Sequence, residues 1–193
     1  GEMMTTINEM DARFAPIIDM ASQLLSQQAG VSVQFTNVEI FSEAERRNRL
    51  FRCTVADPRA GLPDSVILKQ VVTENYQPDD AQAWDTARFF RDWAGAQFLS
   101  NLPGAPNHAP RFYGGDRALG FIMLEDLGQN QRSLVEPLLA GNAIDAENAL
   151  LGYITRLGQF HADTIGKRAE YEAVLHRANP ALRTAAANPQ QPR

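Results

Sequence analysis

Lys69 is the only charged residue in the run Ser65-Val66-Ile67-Leu68-Lys69-Gln70-Val71-Val72. A lysine at one position of an apolar strand has two uses. Facing water, it is an ordinary surface side chain, the commoner outcome. Facing a cleft, its ammonium is a point charge suited to neutralising the α- and β-phosphates of a nucleotide. The second use needs a carboxylate to hold the side chain in place, and the helix expected at 79–99 offers two. Asp85 and Asp92 are seven residues apart, close to two turns, so either can face the same strand. Each is equally at home as an acid on a solvated helix face.

A polyphosphate also needs main-chain amides close to its oxygens, usually from a glycine-bearing loop. The polar link 42–48 is where such a loop would lie. It offers the Ser42 hydroxyl and the guanidiniums of Arg46 and Arg47. Against this, 36–59 contains no glycine, and Glu43 and Glu45 repel phosphate. A charged hairpin tip in water fits the same residues. Met123-Leu124-Glu125-Asp126-Leu127 closes an apolar strand with two acids. Its main chain is suited to meeting the edge of a heterocycle, with apolar neighbours on the ring faces. His161-Ala162-Asp163 has the form of a phosphotransfer catalytic loop, which carries an asparagine five residues after the aspartate. Arg168 occupies that position, and His161 falls in phase with an apolar helical stripe. It reads as a helix-end histidine. His108 and His176 have no evident partner, and three histidines with one cysteine do not build a metal centre. Cys53 lies in mid-strand and reads as a buried, inert thiol. No catalytic residue and no metal ligand is assigned.

These residues must be carried by a sheet and its helices. Residues 5–28 have apolar side chains three and four apart, the pattern of an amphipathic helix, with Gly30 as its stop. Residues 31–41 alternate apolar and polar, as a half-buried strand does. Strands are expected at 49–55 and 65–72 across a turn carrying Pro58, Gly61 and Pro63. The helix at 79–99 follows, with Asp79 and Asp80 in its first turn. Strands at 111–115 and 120–124 flank Gly114-Gly115-Asp116-Arg117. Beyond Gly128 the pattern is helical, at 133–139, 145–165 and 170–177. The tail, 179–193, holds three prolines and little to bury, and is expected as loop. A strand lysine, a long following helix with a mid-length acid, and a strand ending in a linker are the parts of a kinase small lobe.

Composition narrows the class. Of 193 residues, 44% are hydrophobic and 21% charged, as in globular proteins. The net charge of −5 argues against nucleic-acid partners, which require clustered positive charge. No apolar run reaches the roughly 20 residues that span a bilayer, and no signal sequence opens the chain. A single cysteine allows no internal disulfide and suits a reducing cytoplasm.

Several segments together resemble the aminoglycoside phosphotransferase family. They are Arg47-Asn48-Arg49-Leu50-Phe51-Arg52, Val66 to Lys69, Asp92 to Leu99, Ala109 to Tyr113 and Phe121 to Gly128. Leu157-Gly158-Gln159-Phe160-His161-Ala162-Asp163 is similar to the helix that precedes the family's catalytic loop. The resemblance covers 31–165 in order. It implies a protein-kinase-like fold and transfer of the γ-phosphate of ATP, with Mg²⁺, to the hydroxyl of a small molecule. By position, Lys69 is implied to bind the phosphates, with Asp92 as its helix partner. Ser42 and Asn48 are implied to lie in the phosphate loop, and Met123, Leu124, Glu125 and Asp126 to hold adenine through the linker. The family places a glutamate where Asp92 stands, so Asp85 remains an alternative partner. Its His-Gly-Asp loop, downstream asparagine and metal-binding aspartate have no match in these residues.

The expected architecture is therefore α+β. An N-terminal helix (1–30) precedes a kinase-like small lobe (31–128), a five-stranded antiparallel sheet with one long inserted helix. The first helices of a large lobe (129–178) and a tail (179–193) follow. The expected function is the ATP-binding part of a small-molecule phosphotransferase, cut short before its catalytic loop and inactive alone. Its partners are a nucleotide and, in the intact enzyme, a hydroxyl acceptor. Self-association through 145–165 is expected as well. The alternatives are a non-catalytic nucleotide- or protein-binding module, and a purely structural domain with Lys69 on the surface.

Overall fold

The computed structural model describes residues 12–41, 48–59, 61–80, 82–102, 108–131 and 133–182. Among these the chain forms α1 (Ala15–Ala29), β1 (Phe35–Ile40), β2 (Asn48–Val55), β3 (Ser65–Val71), α2 (Trp84–Ser100), β4 (Phe112–Asp116), β5 (Phe121–Glu125), α3 (Val135–Leu139), α4 (Ala143–Thr164) and α5 (Arg168–Ala178). The strands make one sheet in the order β1-β2-β3-β5-β4, and every neighbouring pair is antiparallel. The fold is α+β, with α2 inserted between β3 and β4.

Strand alternation divides the core into two layers. Phe51, Cys53, Val55, Val66, Leu68, Phe121 and Met123 face α1, which buries Ile17, Ile18, Ala21 and Leu25 against them. Val71 and Ile122 face the other way, onto Ala87, Phe89, Phe90 and Ala94 of α2. Cys53 is fully buried, and burial pushes its thiol up to about 12, so it is inert at neutral pH.

Element ends depart from the pattern for local reasons. Pairing in β1 starts at Phe35 and not at Val31, because Val33 is tied to α1: its amide donates to Ser26 Oγ (2.8 Å). Helix α2 begins at Trp84, later than the acids of 79–80 suggest. Asp80 Oδ1 accepts from the amides of Gln82 and Ala83 (3.0 and 3.1 Å), a local turn that competes with helix. The reading of 179–193 as a loop with little to bury is corrected at its start. Asn179 and Leu182 are buried, Leu182 among the α2-side core residues with Val174, Leu175 and Ala178 of α5. That loop pattern was misleading because two side chains, spaced three apart, are enough to anchor a prolyl segment. Residues 183–193 lie outside the described residues.

Candidate functional site

The sheet face toward α2 carries the residues of interest. In register, Leu50 lies opposite Lys69, Arg52 opposite Ile67, and Lys69 opposite Ile122, so these side chains share one face. Helix α2 crosses it and delivers Asp92. Lys69 Nζ donates to Asp92 Oδ2 at 2.7 Å, with the two side chains about a quarter and a third exposed. Asp92, and not Asp85, is thus the partner of Lys69. A half-open ion pair over an apolar floor (Ile67, Ile122, Leu124) can hold an ammonium toward an incoming anion without a fully buried charge.

The remaining candidates are divided. Asn48 opens β2 opposite Val71, on the Lys69 face. Ser42, with Arg46 and Arg47, lies outside the described residues. Met123 points the other way, fully buried in the α1-side layer, while Leu124 packs with the α2-side core. As members of a strand flanked on both sides, Met123 and Leu124 direct their main-chain groups into the ladders. The Glu125 amide donates to Arg111 O (2.8 Å), and Glu125 Oε2 accepts from the Arg111 amide (3.0 Å). The linker main chain past the sheet therefore starts at Asp126.

Asp126 is held by its side chain. Its carboxylate, 6% exposed, accepts from Arg52 Nε (2.7 Å), Ser65 Oγ (2.7 Å) and the Gly128 amide (2.9 Å). Burial alone would raise its pKa. Hydrogen bonds from Ser65, Arg52 and Gly128 outweigh that and hold the carboxyl below its usual range. The Arg52 guanidinium also lies over the Phe41 ring, 5.1 Å from its centroid, and 4.0 Å from Glu39. This clamp joins β2, β3 and the linker at the rim of the Lys69 face. Sequence reasoning missed it, although the period-two placement of Arg52 after Leu50 was a usable signal.

A second missed pair corrects the reading of His108 as partnerless. His108 Nε2 lies 2.9 Å from Asp163 Oδ2, with the imidazole 4% exposed and edge-on to Phe160. Asp163 sits in the last turn of α4, so His161-Ala162-Asp163 is helical, not a catalytic loop. Among the described residues no three His, Cys, Asp or Glu side chains cluster as a metal site, and these residues do not by themselves fit the Mg²⁺ that the resemblance implies. No helix among them is long and apolar enough to cross a membrane. No protein-family model matches the chain, and no curated protein matches it.

Proposed function

We propose that 31–128 is the nucleotide-binding lobe of a small-molecule phosphotransferase with a protein-kinase-like arrangement, taking ATP on the sheet face shared by Lys69, Leu50 and Ile67. The observation that carries this reading is the Lys69–Asp92 pair, 2.7 Å from strand to inserted helix. The roles follow from position. Lys69 neutralises phosphate charge and Asp92 orients it. The apolar floor takes the base, and the main chain from Asp126 onward meets its edge. Asn48 is the described end of the phosphate-covering link. The test is a thermal shift with ATP, ADP and inorganic triphosphate. At about 100 times Kd, a ligand specific for the folded state adds about 2.7 kcal/mol. Lys69→Ala is expected to weaken ATP binding tenfold or more, about 1.4 kcal/mol, while Asp85→Asn leaves it unchanged. An equal ATP shift in wild type and Lys69→Ala would overturn the assignment and leave Lys69 as a surface residue.

A non-catalytic nucleotide-binding module is the second reading, and one observation favours it. Asp163, the acid of the His161-Ala162-Asp163 pattern, stands in the last turn of α4 and is paired with His108 at 2.9 Å. In-line transfer needs a positioned base. The 193-residue chain is therefore expected to bind ATP without passing its γ-phosphate to sugars or aminoglycosides. Turnover that disappears with Lys69→Ala would displace this reading in favour of an active enzyme.

A further inference from the structure

Helix α4 spans 22 residues and buries none of them. Its described neighbours occupy one side. A hollow against α3 is lined by Asp145 and Asn148 with Glu136, Pro137 and Ala140. Asp163 reaches His108. Phe160 and Thr164 line a cleft of about 340 Å³ with Gly95, Phe98 and Tyr171. At about 100° per residue, these contacts leave free the side centred on Ile154. There Leu150, Leu151, Ile154 and Leu157 are 42, 55, 59 and 38% exposed. An apolar face of this extent on a folded chain marks an interface.

The two polar interruptions of that face identify the occupant. Glu147 and His161 are both exposed, and each lies seven residues from Ile154, one on either side. That is about 10 Å along the axis and about 20° off the centre line in opposite senses. A second α4 laid antiparallel, with a two-fold axis at Ile154, sets Ile154 against itself and Leu150 beside Leu157. Leu151 falls on Gly158, where a Cβ would meet no atom within 4 Å, so the two backbones can approach there. Glu147 and His161 come to the same height on either side of the seam, close enough to pair across it, twice by symmetry. A face whose acid and base exchange under its own two-fold is complementary to itself, as an isologous interface must be.

We propose that α4 is a homodimer interface, with a second copy of this chain packed antiparallel through Ile154 and flanked by two Glu147–His161 pairs. The experiment is sedimentation equilibrium of the 193-residue chain from about 1 to 100 µM, where a dimer of micromolar Kd titrates. Circular dichroism and thermal melting check that every variant stays folded. The wild type is expected to dimerise and Ile154→Glu to be a folded monomer. Because like charges across an interface cost affinity, Glu147→Lys is expected to raise the dimer Kd about tenfold or more. Glu147→Lys with His161→Glu, which restores the pairing with signs reversed, is expected to recover most of that loss. A monomer across the range, or open-ended aggregation, would overturn the proposal and leave the face to a different chain segment or protein. So would a dimer indifferent to Ile154→Glu, or a double variant as weak as Glu147→Lys alone.

Discussion

At the scale of single residues, Asp126 carries more consequence than the ion pair above it. Lys69 and Asp92 are partly exposed, and such pairs contribute about 0–1 kcal/mol to folding. Their substitution should be read in ligand binding, not in stability. Asp126 is the reverse case: nearly buried, with Arg52, Ser65 and the Gly128 amide donating to it. Its carboxyl titrates lower in the folded chain than in the unfolded one. A depressed native pKa means the contribution is fully present above the ordinary carboxylate range, about pH 4, and fades as pH falls through the native value. Asp126→Asn is expected to cost about 1–3 kcal/mol at pH 7, since Arg52 loses its 2.7 Å carboxylate and keeps only Glu39, 4.0 Å away. The gap to wild type should narrow toward pH 2–3. Urea midpoints at pH 7 and pH 3 check this, and a gap of the same size at both would speak against the clamp.

At the scale of elements, β4 and β5 show how closely the sheet and α2 fit. A Cβ on Gly115 would lie 2.6 Å from the Phe121 carbonyl oxygen and 2.8 Å from the Trp93 ring. Neither can retreat cheaply, since the carbonyl belongs to the ladder and Trp93 stacks on Phe90, 6.0 Å between centroids. Gly115→Ala is therefore expected to destabilise by about 1–3 kcal/mol through overpacking. Gly95, in the middle of α2 with open space around its missing Cβ, supplies the contrast. Gly95→Ala is expected to be neutral or stabilising by up to about 1 kcal/mol. Thermal melts of the two variants check both signs. The elements themselves were legible because alternation in β1, the apolar run of β3, the first-turn acids ahead of α2 and the helical period of α1 and α4 are local properties. The Lys69–Asp92 pair was legible for a related reason: a strand and the helix after it must pack, so a lysine and an acid on facing sides meet. The Arg52–Asp126 and His108–Asp163 pairs, 74 and 55 residues apart, depend on tertiary placement that no local period encodes.

At the scale of the whole molecule, the segment after α5 ties the last helix to the sheet. Asn179 is fully buried, and its Nδ2 donates to Pro78 O at 2.8 Å, 101 residues away and just ahead of α2. Its Oδ1 accepts from the Ala181 amide at 3.0 Å and from Arg117 at 3.4 Å, on the turn between β4 and β5. One side chain thus bonds the approach to α2, the β4–β5 turn and its own chain, while Leu182 fills the core beside α5. The Asn179–Pro78 bond closes a loop of 101 residues, so its removal should be felt cooperatively and not as fraying. Leu182→Ala is expected to cost about 2–5 kcal/mol as a buried truncation. Asn179→Ala is expected to cost about 1–3 kcal/mol, because the Pro78 carbonyl and the Ala181 amide lose their partner. If α5 and the segment behind it belong to the same cooperative unit as the sheet, urea unfolding of both variants should shift to lower midpoint with the slope unchanged. A separate early transition, with the main midpoint where wild type has it, would instead make α5 an appendage that docks on α2 without stabilising it.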